Sequence, residues 1–550
     1  MRERQTQSPA QLPAQLPAQL MVTRRIFGPP GTGKTATLAG AAAQAALDIG
    51  PGAIMICSYT NAAAETIASR TPDIPTDNVG TIHKAAYVQM GRPPILESKP
   101  AQVKEWNAYA PEYCLSMPQS KDMGSGLEYG DTHTTGDDIA ALVTILRNRM
   151  IPVDRWPGQA RAFHETWTRW KALAGGIDFT DMLEASLEAG LPAPGRPRLL
   201  LVDEAQDCTA LQMAVVTQWA QHADNLVLCG DDDQCIYQFA GATPEAFAGA
   251  DLGPDDTVLD QSHRLPFLVW EYADQWIRQL SRRIPKDFLP RQSPDHGFVS
   301  RAPFTYRDGP ATVATIRKVT DKGHTVMAIA PCSYMVDPLK NALRDAGIPF
   351  HNPYRLIRAD WNPLKLAQGT TYSERVASYL APRTRDKKWW TAAELKAATS
   401  VLEAKGVFRH GMKTKIDELT SVGLDTLFRY FEDDAANALL ACDLDWWEAH
   451  LVNDAARAKA AYPLAIVRAR GADFLDATAI PPEVVIGTIH SVKGAEADVV
   501  ILFPDLSPQG LHQWSGPHKD AIRRLMYVGI TRARHGLIIA QPASSSACHL

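Results

Sequence analysis

Short, continuous apolar runs recur along the chain, separated by stretches with helical spacing. The runs are Arg25–Phe27, Ala53–Ser58, Leu199–Asp203, Leu226–Gly230, Thr325–Ala330, Val484–Thr488, Val499–Phe503 and Gly536–Ala540. A strand that is apolar throughout, rather than at alternate positions, is buried on both faces, as in a parallel sheet. The spacing predicts helices over Ala36–Leu47, Asn61–Ser69, Val336–Ala346 and Asp520–Val528. Strand and helix in alternation predict an α/β fold. Two stretches break the alternation. From about Gly91 to Lys171 the chain is richer in Pro, Trp, Tyr and polar residues, with one clear helical pattern near Asp138–Arg149. From about Leu356 to Leu475 it is again polar and helical, with tryptophan pairs at Trp389-Trp390 and Trp446-Trp447. The pattern therefore predicts two parallel-sheet domains, each carrying a mostly helical insertion. The first domain is 21–84 with 172–262 and its insertion 85–171; the second is 263–355 with 478–550 and its insertion 356–477. Residues 1–20 hold three copies of Pro-Ala-Gln-Leu, and proline at every fourth position predicts an extended or disordered tail.

The first strand-to-helix junction carries chemistry. Gly28-Pro29-Pro30-Gly31-Thr32-Gly33-Lys34-Thr35 reads G-x-x-x-x-G-K-T, the phosphate-cradling P-loop pattern, between a strand and a helix as the motif requires. Glycines let backbone N–H groups turn inward around phosphate oxygens, and the helix N-terminus adds partial positive charge. Lys34 is expected to reach the β/γ-phosphates and Thr35 to hold Mg²⁺. A second run, Leu199 to Val202, ends in Asp203-Glu204-Ala205-Gln206-Asp207. Apolar residues followed by Asp-Glu form a Walker B element, in which Asp203 belongs to the Mg²⁺ shell and Glu204 orients and polarises the attacking water. Adjacent carboxylates need a cation to stay ionised together.

Composition narrows the partners. The chain has 550 residues and a net charge of −5, so a nucleic-acid site must be a local groove and not a global basic field. The eight cysteines include no C-x-x-C pair, which predicts free thiols in a reducing cytoplasm without disulfides or zinc. No apolar run approaches the roughly 20 residues of a membrane span, and the N-terminus lacks the apolar segment of a signal peptide.

A third run, Leu228-Cys229-Gly230-Asp231-Asp232-Asp233-Gln234-Cys235-Ile236-Tyr237-Gln238-Phe239-Ala240-Gly241-Ala242, joins a strand, an acidic turn, a glutamine and aromatics. With the P-loop and the Asp203–Asp207 run, it resembles the UvrD/Rep/PcrA helicases of superfamily 1. The resemblance implies two RecA-like P-loop domains and links the γ-phosphate, through Gln234, to aromatics that stack on single-stranded DNA bases. Phe239 stands at the stacking position, with Tyr237 beside it. Stacking on a base face contributes about 1–3 kcal/mol and ignores sequence, as a motor on a strand requires.

Further segments extend the resemblance. Tyr59-Thr60-Asn61 and Thr81-Ile82-His83 are similar to the family's DNA-contacting segments, with Tyr59, Thr60, Asn61, Thr81 and His83 as the DNA-binding residues so implied. Ser262-His263-Arg264 stands where the family has Asn-Tyr-Arg, so Arg264 is implied at the γ-phosphate and His263 at the adenine face. In Thr488-Ile489-His490-Ser491-Val492-Lys493-Gly494-Ala495-Glu496, Thr488 and His490 are implied near DNA and Glu496 at the ribose. Tyr527 to Arg534 contains Arg532, the implied second γ-phosphate arginine. No clear counterpart of the adenine-reading glutamine precedes the P-loop; only tail residues such as Gln15 and Gln19 lie upstream. Ala36 and Ala240 stand where arginine is usual in the family, and both insertions are short.

The resemblance implies an ATP- and Mg²⁺-dependent 3′–5′ DNA helicase that hydrolyses ATP in an interdomain cleft. Its implied partners are single-stranded DNA, junctions of single- and double-stranded DNA, and replication or repair proteins, with no membrane. Two other readings stay open from the residues: a translocase that displaces proteins without unwinding, and a DNA-binding scaffold without catalysis.

Overall fold

The structure, a computed structural model, describes residues 24–59, 61–96, 99–116, 134–249, 251–355, 358–364, 370–384, 388–477 and 479–550, with the backbone alone at 61–63 and 66. The N-terminal tail therefore lies outside the described residues. The chain forms two compact units. The first comprises residues up to Val299 together with Lys493–Ala495 and Pro508–Gly536; the second comprises Ser300–Val492, Glu496–Ser507 and Leu537–Leu550.

The first unit is built on a sheet of β1 (Arg24–Phe27), β2 (Ile54–Ser58), β3 (Val79–Thr81), β4 (Leu199–Asp203), β5 (Asn225–Gly230) and β6 (Thr257–Val258), in the order β3-β2-β4-β5-β1-β6. Every pairing in it is parallel. The residues of β2 and β4 are all buried, as continuous apolar runs require. Register decides what meets at the sheet's C-terminal edge. Phe27 pairs with Gly230 and Ser58 with Asp203, so the P-loop, Tyr59, Glu204 and Asp231 all leave the sheet on one side. That edge is where open α/β sheets bind ligands.

The helix after the P-loop spans Lys34–Ile49, beginning before the apolar spacing starts and ending at Gly50, whose φ is 84°. The insertion predicted over 85–171 is helical where described, with helices Pro100–Tyr109, Thr135–Asn148 and Gly158–Ala174. Its aromatic core joins Trp106, Phe163, Trp167 and Trp170. A buried ionic group fastens it to the helix Phe179–Ala189: Arg147 pairs with Asp178 at 2.8 Å and with Glu184 at 2.6 Å, and Lys171 pairs with Asp178 at 2.5 Å. Removing one partner of such a group would strand a buried charge at a cost of roughly 3–5 kcal/mol, so the insertion is held firmly.

The second unit is built on β7 (Phe298–Ala302), β8 (Val326–Ala330), β9 (Phe350–His351), β10 (Val484–Thr488), β11 (Ala497–Leu502) and β12 (Ala533–Ala540), in the order β7-β12-β11-β8-β10-β9. Strands β8 to β11 run parallel. The stretch from 356 to 477 is mostly helical where described, including Tyr372–Tyr379, Ala392–Thr399, Asp433–Leu440 and Asp454–Arg470. The fold is thus α/β with two predominantly parallel sheets and helical insertions, consistent with two RecA-like domains.

Candidate active site

Two glycines of the P-loop take left-handed backbone, Gly31 at φ 75° and Gly33 at φ 82°, which a side chain would strain. The loop is tied to the sheet by the Gly28 amide, which donates to the Gly230 carbonyl at 2.9 Å. Lys34 donates to the Gly28 carbonyl at 2.6 Å, so its ammonium lies across the loop. Ser262 and His263 pack on the other side. The Ser262 hydroxyl donates to the Pro30 carbonyl and the His263 amide to the Gly31 carbonyl, both at 2.8 Å. A Cβ at Gly31 would collide with the Arg264 side chain, so the loop and the Ser262–Arg264 segment are fitted to each other. The His263 ring is exposed at this rim.

Beside the loop, the Thr35 hydroxyl donates to the Asp203 carboxylate at 2.9 Å. A hydroxyl and a carboxylate at a P-loop are hard oxygen donors, the set that suits Mg²⁺. Burial, followed by the neighbouring Glu204 charge, raises the Asp203 carboxyl to about 6, the electrostatic condition a divalent cation relieves. Burial would also raise Glu204, but the charges of Lys34 and Lys493, a bond from Gln206 and the Arg532 charge outweigh it and hold this carboxyl below its usual range. The two adjacent acids are pushed apart, Asp203 up and Glu204 down. Its backbone is left-handed at φ 52°, the kind of local strain that concentrates at functional sites.

A fully buried glutamine connects this turn to the next. Gln206 donates to Glu204 at 2.5 Å and accepts from the Asp231 amide at 2.9 Å. A Cβ at Gly230 would collide with the side-chain Oε1 of Gln206 and displace it. Gln234 then donates to the Asp231 carboxylate at 2.7 Å and accepts from the Arg532 guanidinium at 3.1 Å. Arg532 is 1% exposed and is also held by the Val528 carbonyl at 2.9 Å and the Ala495 carbonyl at 3.2 Å. Arg264 donates to the Thr531 carbonyl at 3.3 Å. Arg532 lies between β11 and β12 of the second sheet in the chain, yet it packs within the first compact unit. Lys34, Thr35, Asp203, Glu204, Gln234, Arg264 and Arg532 are all brought into that unit.

Two further residues belong to this constellation and were not singled out from the sequence: Gln206, just described, and Lys493. Lys493 forms an ion pair with Asp207, donates to the Gln234 carbonyl at 2.8 Å, and lies 5.2 Å from the centre of the Tyr237 ring. The signals were present, a lysine inside the Thr488–Glu496 run and a third acid after Glu204, but their pairing spans most of the chain.

The aromatics meet on the same loop. The Tyr59 and Tyr237 rings lie 5.0 Å apart, and Tyr237 and Phe239 lie 5.9 Å apart, edge to face. Tyr237 is buried, whereas Tyr59 and Phe239 are half-exposed and present ring surface. Thr60 and the Asn61 side chain lie outside the described residues. The Thr81 hydroxyl caps the helix Ile82–Gln89 by accepting from the Lys84 amide. His83 is half-buried, 3.4 Å from the Gln212 amide, and burial lowers it to about 4, so its imidazole is neutral at neutral pH. Thr488, His490 and Glu496 belong to the second unit. Thr488 is buried and its hydroxyl accepts from the Ser491 amide at 3.2 Å, His490 is half-buried, and Glu496 is exposed. None of the helices among the described residues is long and apolar enough to cross a membrane.

A P-loop at the edge of a parallel sheet, a Thr–Asp pair beside it and an ionised glutamate define a P-loop NTPase. The comparisons narrow the class. The family described as an AAA domain matches residues 13–240, and that of the UvrD-like helicase C-terminal domain matches residues 483–540. The ATP-dependent DNA helicase UvrD2 of Mycobacterium tuberculosis (strain ATCC 25618 / H37Rv) is 26% identical over 565 aligned residues, covering 94% of this chain and 76% of that protein. The ATP-dependent DNA helicase PcrA of Leuconostoc citreum is 22% identical over 361 residues, 60% of this chain and 47% of that protein. DNA helicase II of Escherichia coli (strain K12) is 27% identical over 219 residues, 37% of this chain and 29% of that protein. The two family matches and these relatives together support a UvrD/Rep/PcrA-like helicase.

Proposed function

We propose that this chain is an ATP-dependent DNA helicase that moves 3′ to 5′ on single-stranded DNA and couples ATP hydrolysis to strand separation. The observation that carries the reading is the continuity of one loop. Within Asp231–Phe239, Gln234 bonds to Arg532 and to Asp231, and five residues later Phe239 presents a half-exposed ring. A shift at the γ-phosphate end therefore has a covalently short path to a base-stacking face. The P-loop amides and Lys34 take the phosphates. Thr35 and Asp203 hold Mg²⁺, which when bound offsets phosphate charge. Glu204 accepts a proton from the attacking water, while Gln234, Arg264 and Arg532 meet the charge that develops at the γ-phosphate. The proposed compartment is the cytoplasm; all eight cysteines are free thiols, which fits a reducing environment.

The test pairs ATPase assays, with and without single-stranded DNA, with unwinding of 3′-tailed and 5′-tailed duplexes. DNA-stimulated turnover and opening of the 3′-tailed duplex alone are expected. Opening of only the 5′-tailed duplex would overturn the polarity. Strong DNA-stimulated turnover without unwinding at any enzyme concentration would favour a translocase that displaces proteins, the reading the short insertions support. DNA binding without turnover would point to a scaffold.

Phe239→Ala is expected to weaken DNA stimulation by about tenfold, the equivalent of one lost base stack, while basal hydrolysis changes little. Steady-state turnover titrated with oligothymidine checks this, and equal losses of basal and stimulated rates would make Phe239 a packing residue.

A further inference from the structure

The acidic turn Asp231–Asp233 is held by a lysine that lies outside the site segments described above, Lys286. Lys286 is 3% exposed, and its ammonium lies 3.3, 2.5 and 3.1 Å from carboxylate oxygens of Asp231, Asp232 and Asp233. It also donates to the Ile284 carbonyl at 3.1 Å. Arg283 pairs with Asp233 at 2.6 Å, and Arg524 donates to the Asp232 carbonyl at 2.9 Å. The three aspartates are each at most 1% exposed. Carboxylates so buried and so close stay ionised only beside cations. Burial alone would lower the Lys286 ammonium, but Asp233, Asp231 and Asp232 outweigh it and raise it.

What this charge holds in place is the amide of Gln234. A carboxylate only accepts hydrogen bonds and a guanidinium only donates them. With Asp231 on one side at 2.7 Å and Arg532 on the other at 3.1 Å, the amide has one satisfied orientation, nitrogen toward Asp231 and oxygen toward Arg532. An amide nitrogen carries two N–H donors, so the bond to Asp231 uses one of them. Were Asp231 neutral or displaced, the amide would lose its reason to face this way, and Arg532 would lose a buried acceptor.

We propose that Lys286 is a positioning residue of the nucleotide site, acting through Asp231 on the amide of Gln234 and through that amide on Arg532. This rests on the reading of the site as an ATPase. A merely structural role, in which the lysine neutralises a buried acidic turn and nothing more, makes a different prediction.

The test uses the full chain and a double-mutant cycle. Asp231→Asn keeps the side-chain size and leaves Lys286 two of its three carboxylates, so the turn retains its packing. It is expected to lower kcat about tenfold or more with the KM for ATP changed less than about threefold. Because the effect runs through Gln234, the Asp231→Asn/Gln234→Ala double variant is expected to turn over no more slowly than Gln234→Ala alone. Lys286→Met is expected to reproduce the kcat loss in whatever folded fraction is recovered, and Lys286→Arg to restore most of it. Losses that multiply in the double variant, or an Asp231→Asn protein with lowered thermal stability and kcat within about twofold of wild type, would overturn the inference alone. A wild-type protein without turnover would overturn the ATPase reading and the inference with it.

Discussion

Replacing Glu204 with glutamine is expected to leave ATP bound and to slow hydrolysis by about 10²–10⁴-fold, the usual scale for removing a general base. Affinity should persist because it rests on the P-loop amides and Lys34, which the substitution does not touch. Geometry should persist as well. An amide oxygen at this position can still accept from Gln206, whose bond to Glu204 at 2.5 Å orients the side chain, and the left-handed backbone is unchanged. What is lost is basicity. Lys34, Lys493, the Gln206 bond and Arg532 together hold the native carboxyl low despite burial, so it is ionised and ready to take a proton at neutral pH. Binding of a fluorescent ATP analogue, read beside phosphate release, separates the two effects. A variant that still hydrolyses rapidly would remove Glu204 from the chemistry, and one that no longer binds would recast it as part of the loop's architecture.

Glu204 was legible because everything that places it is local: an apolar strand, then two acids. The same holds for Gly28–Thr35, where the motif, the strand before it and the helix after it are contiguous. The helix Lys34–Ile49 exceeds the predicted Ala36–Leu47 at both ends because its limits are set by Gly33 and Gly50, both at positive φ, not by the apolar spacing that revealed it. The two-residue strands β6 and β9 are too short to leave any pattern. The pairings that complete the site left no trace of another kind. Lys493 meets Asp207 across 286 positions, and Lys286 meets Asp232 across 54. A single lysine carries no periodicity, so its partner is known only once the chain has folded. Arg532 combines both cases. Its motif was recognisable, but its place was not, because the helix Lys519–Ile530 that precedes it packs with the first unit through contacts such as Arg524 to Asp232 and Trp276 to the Arg523 carbonyl.

Arg532→Ala is expected to lower kcat by about 10³–10⁵-fold, the scale on which arginines that complete phosphoryl-transfer sites act. The residue is suited to it: fully buried, with Nε on the Val528 carbonyl and the two terminal nitrogens divided between the Ala495 carbonyl and Gln234. Those same bonds mean that alanine would leave several buried acceptors without this donor, so stability must fall too. Thermal melting in the presence and absence of nucleotide measures that part. Arg532→Lys separates it from the catalytic one. Lysine keeps the positive charge and can satisfy some of the carbonyls, but a point charge cannot hold the protein contacts and still offer a fixed, planar fork to a phosphoryl group. A lysine variant that recovers melting temperature and ATP affinity while turnover stays low would assign the guanidinium to the reaction itself. One that hydrolyses as fast as wild type would reduce Arg532 to a tie between the Lys519–Ile530 helix and the Gln234 loop, and the γ-phosphate role would pass to Arg264.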